Sequence, residues 1–179
     1  MRTLIFNGSP RINGDTKSLI NELIKNLDGE YKIVDAYHCN ISPCVDCRYC
    51  HKHAGCCKND DWQEIDKYIR NCDNILIASP NYFSELSGQL LAVASRLQSF
   101  WSARHFRKDE LIHKKKRGGI VLVGGGDGHM STPITTATCL LNHMNACNIA
   151  APVCFHDTNN NPAIEDADTI AHLKELAAF

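Results

Sequence analysis

The sequence of 179 residues lacks long apolar runs and carries no marked excess of charge. No stretch approaches the ~20 apolar residues that a membrane-spanning helix requires, and the segment after Met1 has neither the apolar region nor the cleavage site of a secretory signal. Its 19 basic and 20 acidic residues give a formal net charge of −1, so neither nucleic acid nor a membrane is expected as a partner. We therefore expect a cytoplasmic protein and, from the length, a single domain over residues 1–179.

Two common nucleotide-binding motifs are also missing. Neither the spacing G-x4-G-K-[ST] nor G-x-G-x-x-G occurs, which disfavours ATP hydrolysis and dinucleotide binding at a glycine-rich loop. No Ser/His/Asp set or pair of carboxylates stands out as a catalyst, so no side chain is predicted to be catalytic.

Short apolar runs alternate along the chain with segments of helical period. Strands are predicted at 3–6, 31–37, 75–78, 119–123 and 149–155. Helices are predicted to begin near Thr16, Trp62, Ser87, Ser131 and Asn161. Five strands alternating with five helices predict an α/β fold, a three-layer, doubly wound parallel sheet. Polar, glycine-rich loops follow three strands, at 7–18, 79–84 and 124–130, and a ligand site is predicted where these strand ends share one sheet edge.

The loop from Gly8 to Ser18 has the composition of an anion site. Glycine lets the backbone turn sharply and approach the anion, and the N–H groups and positive dipole end of the following helix face it. Hydroxyls and cations are supplied by Ser9, Arg11, Thr16, Lys17 and Ser18. The alternative is an ordinary strand–helix turn in which Asp15 or Thr16 merely caps the helix, but such a turn needs neither the hydroxyls nor the cations.

Six of the ten cysteines lie in the loop 39–59. The spacing C-x2-C-x2-C-x5-C suits a [4Fe–4S] cluster held by Cys44, Cys47, Cys50 and Cys56, with Cys57 adjacent. Two alternatives are free or disulfide-switching thiols, and a zinc site supported by His51 and His53. We expect inert packing residues at Cys39, Cys72, Cys139, Cys147 and Cys154.

Together these motifs resemble the NAD(P)H-dependent FMN reductases of flavodoxin-like fold, including the iron–sulfur flavoproteins. The landmarks lie in order over residues 3–130: Gly8-Ser9-Pro10-Arg11, Gly14-x-Thr16, Pro43-Cys44-x2-Cys47-x2-Cys50, Asp60-Asp61, Ser79-Pro80-Asn81-Tyr82-Phe83, Ser87-Gly88 and Arg96. The resemblance implies the strand order 2-1-3-4-5 and an FMN phosphate surrounded by Ser9, Arg11, Asp15, Thr16, Lys17 and Ser18. It also implies an isoalloxazine ring lined by Pro80, Asn81, Tyr82 and Phe83 and bordered on its other side by Gly124, Gly125, Gly126 and Asp127.

In function, the resemblance implies a flavin oxidoreductase. NADH or NADPH would reduce FMN, and the electrons would pass to a small acceptor such as a quinone or a free flavin. One alternative is an iron–sulfur flavoprotein that acts as an electron carrier or redox sensor without a substrate of its own. Another is a fold that binds no flavin. The resemblance further implies a homodimer or homotetramer.

The chain departs from the family pattern at two positions. Asp15 stands where the family usually has Asn, and because a carboxylate repels phosphate we expect Asp15 to turn away and cap its helix. At Ala94-Ser95-Arg96 the family's acid before Arg is absent. The basic segment 104–117 predicts either a solvated connector or a surface for the phosphates of a nicotinamide dinucleotide. His129 is a candidate contact for flavin or substrate.

Overall fold

A parallel sheet lies at the centre of the computed structural model, which describes residues 1–178. Its strands are β1 (Arg2–Asn7), β2 (Glu30–Asp35), β3 (Asn74–Pro80), β4 (Lys116–Val123), β5 (Ala146–Ile149) and β6 (Val153–Phe155). The α-helices are α1 (Asp15–Lys25), α2 (Tyr49–Lys52), α3 (Trp62–Asn71), α4 (Gly88–Ala94), α5 (Gln98–Ser102), α6 (Ser131–His143) and α7 (Ala167–Ala178). Within residues 1–178, no helix has the length and apolar character needed to cross a membrane.

The strand order β2-β1-β3-β4-β5, with all neighbours parallel, confirms the predicted doubly wound sheet. The predicted count of five strands is wrong, because the segment 149–155 is not one strand. β5 begins earlier, at Ala146, and pairs with the start of β4, whereas β6 pairs with the end of β4. Pro152 lies between β5 and β6, and a proline has no N–H to donate to a neighbouring strand. The sheet therefore has six strands.

Side chains alternate between the two faces of the sheet, and each face has its own core. On β1, Leu4 and Phe6 pack with residues of α3, α4 and α6, whereas Ile5 packs with residues of α1 and α7. Strands β3 and β4 alternate in the same way. Because helices cover both faces, the central strands are apolar at consecutive positions, which is the pattern seen in the sequence.

The helical segment predicted from Ser87 to Trp101 continues to Arg107. It consists of α4, a 3-10 turn (Ser95–Leu97), α5 and a π turn (Ala103–Arg107). The basic segment is therefore only partly a connector: its first residues belong to the π turn, its last two begin β4, and only residues 108–115 lack helix and strand.

Candidate functional site

A cleft opens where β1, β3 and β4 end, at the sheet edge that the sequence indicates. It is lined by Ser9, Arg11, Gly14, Asp15, Thr16, Pro80, Asn81, Tyr82, Val123, Gly124, Gly125, Thr158 and Asn159. The structure thus brings together the three predicted loops and adds a fourth, which follows β6.

Ser9 is held in the first loop by short-range hydrogen bonds. Its N–H donates to Asn7 Oδ1 (3.0 Å), and its Oγ accepts the N–H of Arg11 (3.2 Å). Asn7 is itself tied to Asp35 on β2 by a bond of 3.2 Å from its side-chain amide. The loop is therefore ordered by the protein, with Ser9 buried and the Arg11 side chain exposed at the rim.

The N-terminus of α1 points free backbone donors at this loop. The first turn is closed by a bond from the Ser18 N–H to the Gly14 carbonyl (2.9 Å), and no side chain caps the helix. The amides of Asp15, Thr16 and Lys17 therefore precede the helical ladder and carry the positive end of the helix dipole. This arrangement suits phosphate oxygens.

Asp15 turns away from the anion loop, but it does not cap its own helix. Its Oδ1 accepts the N–H of Ala163 at 2.9 Å and holds the 3-10 turn Ala163–Glu165 against α1. The prediction of a cap on α1 is wrong because the carboxylate satisfies an N–H at the start of a different helical turn. A carboxylate readily accepts a free N–H at a helix start, and here it does so between α1 and the 3-10 turn, which are far apart in the sequence.

Gly8 is required for close packing, not for a sharp turn. Its backbone does not adopt a positive φ. A Cβ at this position would lie 2.9 Å from Leu90 Cδ2 and 2.9 Å from Ser87 Oγ. Its N–H donates to the Ala78 carbonyl at 2.8 Å, so the loop continues the β1–β3 pairing directly beside the start of α4.

Asn81 joins two walls of the cleft and leaves one atom free for a ligand. Its N–H donates to the Val123 carbonyl (2.7 Å), and its side-chain amide donates to the carbonyls of Gly128 (3.2 Å) and His129 (3.3 Å). Its Oδ1 is buried without a partner in the described part of the chain. An unsatisfied buried acceptor costs about 1–3 kcal/mol, so a ligand that donates an N–H to Asn81 would remove this cost.

Tyr82 and Glu85 close a two-residue hairpin whose tip is Phe83-Ser84. Backbone hydrogen bonds of 2.9 and 3.1 Å run both ways between Tyr82 and Glu85. Both tip residues have positive φ, 54° and 59°, as in a type I′ turn, where Asn and Gly are preferred. The turn directs Tyr82 into the cleft and leaves Phe83 fully exposed outside it.

The loop after β6 forms a wall of the cleft that is not among the three predicted loops. The Thr158 N–H donates to the Gly124 carbonyl (3.1 Å), and a Cβ on Gly125 would lie 2.5 Å from Asn159 Oδ1. A sequence signal for this wall exists, because a polar segment with three consecutive Asn residues at 159–161 follows a strand here. The prediction of a helix that begins near Asn161 assigns no role to residues 158–160.

Some predicted cofactor residues do not line the cleft: Lys17, Ser18, Phe83, Gly126 and Asp127. Lys17 and Ser18 are partly buried on α1, and Gly126 and Asp127 are exposed. Their role in cofactor binding stays a prediction. His129 likewise has an exposed side chain, and its carbonyl accepts from Asn81.

The four cysteines of the C-x2-C-x2-C-x5-C motif all line one small cavity beside Arg96. The N–H of Cys44 donates to Ser95 Oγ (2.9 Å), and Arg107 donates to the carbonyl of Cys50. The segment from α4 to the π turn therefore holds the cysteine loop from one side. Ser95, which precedes Arg96 where the family usually has an acid, makes one of these contacts.

A buried ion pair closes the base of the cysteine loop. Arg96 Nη1 lies 2.6 Å from Asp60 Oδ2 and Nη2 lies 3.2 Å from Oδ1, with side chains 1% and 7% exposed. Arg96 also donates to the Ser42 carbonyl (2.8 Å), and Asp60 accepts the N–H of Trp62 (3.2 Å). Burial raises the pKa of Asp60, but the hydrogen bonds and charge of Arg96 outweigh burial and hold that pKa below its ordinary value. The pair therefore ties the loop to α3 and to the helical segment after α4.

The motif cysteines are not arranged around a common metal position. Within residues 1–178, no three His, Cys, Asp or Glu side chains are placed to hold one ion. Cys47 instead faces Cys57, with 3.4 Å between their Sγ atoms. Hydrogen bonds from the Tyr49 N–H and from Cys57 lower the pKa of Cys47. His51 stacks on Phe106 of the π turn (3.9 Å between ring centroids), and His53 stacks on Tyr49 within the loop (4.6 Å).

The remaining cysteines fall into two groups. Burial raises the pKa of the Cys72 thiol to about 11 and also raises the pKa of Cys39 and of Cys154, as expected for unreactive packing residues. Cys139 and Cys147 are exposed, so the prediction of packing residues is wrong there. Cys139 lies on α6 and Cys147 on the edge strand β5, and a surface helix and an edge strand each leave one side open to solvent.

Basic side chains of the segment 104–117 contact acceptors of the protein itself. Arg104 donates to a backbone carbonyl at the end of α6 (3.3 Å), and Lys114 pairs with Asp73 (2.6 Å). Lys116 is buried and donates to the Lys114 carbonyl (2.8 Å). These contacts support a structural role for the segment.

Comparison with known proteins agrees with the fold. Residues 1–160 match the family described as NADPH-dependent FMN reductase. An iron-sulfur flavoprotein of Methanocaldococcus jannaschii is 30% identical over 137 residues, 75% of this chain and 68% of that protein. Another, of Archaeoglobus fulgidus, is 32% identical over 123 residues, 67% of this chain and 60% of that protein. This chain therefore spans 60 to 68% of the length of these relatives. A solved FMN-dependent NADH-azoreductase from Bacillus anthracis, in complex with FMN, gives a TM-score of 0.71 at 11% identity, over 99% of this chain and 98% of that one.

The doubly wound sheet with a cleft at its carboxyl edge defines the class as flavodoxin-like. The chain belongs to the NADPH-dependent FMN reductase family. Membership confirms the resemblance drawn from the motifs, the oxidoreductase class, and FMN as the cofactor of the family.

Proposed function

We propose that this protein binds FMN in the cleft and acts as an oxidoreductase. It takes electrons from NADPH or NADH and passes them to a small acceptor such as a quinone or a free flavin. One observation carries the proposal: the donor end of α1, the unpartnered Oδ1 of Asn81 and the backbone of Gly124 and Gly125 meet at one cleft. Family membership supports the class of reaction.

The chain's own residues bind and orient the cofactor. Ser9, Thr16 and the first amides of α1 would hold the phosphate, and Arg11 at the rim would neutralise its charge. Tyr82 would pack on the flat apolar ring of FMN, and Asn81 would accept an N–H from the polar edge of that ring. When bound, FMN supplies the redox chemistry and accepts or donates one or two electrons.

Fluorescence titration of dialysed protein with FMN tests the cleft. Arg11→Gln should weaken binding about tenfold, because a hydrogen bond to a charged group contributes about 1.5 kcal/mol. Lys25→Gln, at the opposite end of α1, is the matched control and should bind FMN as the wild type does. If the protein takes up no FMN, the cleft assignment fails.

Anaerobic mixing with NADPH and NADH tests the reaction separately. Bleaching of the bound flavin by either nucleotide, followed by turnover with menadione or added FMN, is the expected result. If neither nucleotide reduces bound flavin, the protein is not an NAD(P)H oxidoreductase even though it binds FMN.

The cysteine loop supports a second candidate function, that of an iron–sulfur flavoprotein carrying single electrons. Four thiols lining one cavity fit a [4Fe–4S] cluster in donor type and number, although Cys47 faces Cys57 in this structure. The ligands would be Cys44, Cys47, Cys50 and Cys56. Anaerobic purification followed by iron, sulfide, zinc and flavin counts tests this candidate. About four iron and four sulfide per chain would support it, whereas zinc without sulfide would contradict it.

We further propose a cytoplasmic homodimer or homotetramer. A groove between the α4–α5 segment and α6 is lined by partly exposed apolar residues, among them Leu91, Trp101 and Leu140, and by no Asp, Glu, Lys or Arg. A second copy offers the same apolar strip, as a two-fold interface requires. Sedimentation velocity should give a dimer or tetramer that Leu140→Glu dissociates, and a wild-type monomer would contradict the proposal.

A further inference from the structure

The cysteine loop contains a thiol pair that combines one motif cysteine with one outside the motif. Cys47 Sγ lies 3.4 Å from Cys57 Sγ, and both residues are exposed. Cys57 is not part of the C-x2-C-x2-C-x5-C set. An exposed pair at this separation is accessible to small oxidants and needs little movement to bond.

The backbone on both sides holds the pair together. Asp46 and Arg48, the neighbours of Cys47, have φ of 49° and 61°, a conformation that non-glycine residues keep only where the surroundings impose it. On the other side, Lys58 follows Cys57 and its ammonium donates to the Pro43 carbonyl (2.7 Å). Gly55, with φ of 75°, lies between the two cysteines in the sequence and allows the chain to turn back so that Cys57 reaches Cys47. The backbone of the loop therefore places the two thiols close together.

We propose that Cys47 and Cys57 form a reversible disulfide by exchange with a small-molecule disulfide such as oxidised glutathione. The Cys47 thiolate attacks one sulfur of that disulfide, which breaks its S–S bond and releases one thiol. The Cys57 thiolate then attacks Cys47 Sγ and releases the second thiol. The two cysteines lose two electrons and two protons, which the released thiols carry. The sulfurs need to approach by about 1.4 Å to reach the S–S bond length of about 2.05 Å.

The disulfide has a consequence for the cluster, and this consequence rests on the proposed function. Oxidation removes Cys47 from the four thiols that would bind the [4Fe–4S] cluster. The loop thus has two exclusive states, a reduced state able to take iron and an oxidised state unable to do so.

Peptide mapping of the metal-free, reduced protein in glutathione redox buffers tests the disulfide. Trypsin cleaves after Arg48 and Lys58, so the expected product is a linked pair of peptides containing Cys47 and Cys57, with two thiols lost per chain. Cys39 and Cys44 share a tryptic peptide with Cys47, and Cys56 shares one with Cys57, so Cys39→Ser, Cys44→Ser and Cys56→Ser must each keep the link. A link that joins Cys47 to another cysteine, or stable glutathione on wild-type Cys47, overturns the proposal.

Two variants complete this test. Cys57→Ser should lose the link and retain glutathione on Cys47. Cys147→Ser, which removes an exposed thiol on β5, is the matched control and should give the wild-type map. Loss of the link in Cys147→Ser, or its persistence in Cys57→Ser, contradicts the assignment.

Reconstitution with iron and sulfide tests the consequence. Oxidised protein should take up no cluster until dithiothreitol is added, whereas reduced protein should take it up directly. Equal uptake by both forms overturns the exclusive states. If reduced protein takes up none, the proposed cluster fails, while the peptide map still decides the disulfide and FMN titration still decides the flavin site.

Discussion

The buried ion pair between Arg96 and Asp60 should govern the stability of the cysteine-bearing side of the molecule. Asp60→Asn keeps the size of the side chain and an oxygen that can accept the Ser42 N–H (3.2 Å), but it removes the charge that faces Arg96. The guanidinium stays 1% exposed, and its Nε has no partner in the described chain even in the wild type. The substitution therefore leaves a buried cation without its counter-charge.

Removing one partner of a buried pair costs about 3–5 kcal/mol, a large share of the roughly 5–15 kcal/mol by which a domain is stable. With a urea dependence of roughly 2 kcal/mol/M, the unfolding midpoint should fall by about 2 M. Glu30→Gln breaks the exposed Arg2–Glu30 pair, whose side chains are 47% and 61% exposed, and should leave the midpoint unchanged. A fall of less than about 0.5 M in Asp60→Asn would refute the reasoning.

The pH dependence of the same variant gives an independent check. Because the folded pKa of Asp60 lies below the ordinary value of about 3.9, the ion pair stabilises the fold above that pH, and its contribution is lost as the pH falls through the folded pKa. The urea midpoints of the wild type and of Asp60→Asn should therefore converge as the pH falls from about 5 to about 2. A constant difference would mean that the carboxylate does not act as the charged partner.

Three further substitutions probe the cleft and the sheet. Asp15→Asn keeps an oxygen for the Ala163 N–H and removes a charge beside the anion loop, so fluorescence titration should give unchanged or tighter FMN binding. A large loss of FMN affinity would mean that the carboxylate contacts the cofactor. Ser84→Gly relieves a positive φ of 59° and should raise the thermal midpoint by about 2 °C, and a lower midpoint would contradict the turn assignment. Gly119→Ala puts a Cβ into overlap with Leu76 Cδ2 and should cost about 1–3 kcal/mol in urea unfolding, and a neutral result would mean that α7 can move away from the sheet.

The sequence predicted well those features that depend on neighbouring residues. The runs around Leu4 and Ile75 are apolar on both faces, so they had to be central strands of a covered sheet. The loop from Gly8 to Thr16 joins a strand to a helix start, and its free amides suit an anion whatever the rest of the chain does. The division of the last strand was harder to predict. The segment around Pro152 forms the two strands β5 and β6 because β4 pairs with both pieces, and the sequence does not show that pairing.

Residues that act over long sequence separations could not be assigned in this way. The sequence indicates that the Asp15 carboxylate should avoid an anion, but its partner, the Ala163 N–H, is set by the docking of the segment after β6 on α1. The exposed position of Phe83 follows from a hairpin of two residues with positive φ, a turn that its sequence does not favour.

The donor-rich loop from Gly8 to Ser18 and the cysteine spacing were therefore determined by the sequence alone, because backbone donors and closely spaced thiols need only a few adjacent residues. Tertiary structure decided how these features are completed. It added Thr158 and Asn159 to the cleft, buried Arg96 against Asp60 beneath the cysteine loop, and turned Cys47 toward Cys57. Each of these contacts joins residues whose distance apart depends on how the elements pack, and local propensity carries no information about that packing.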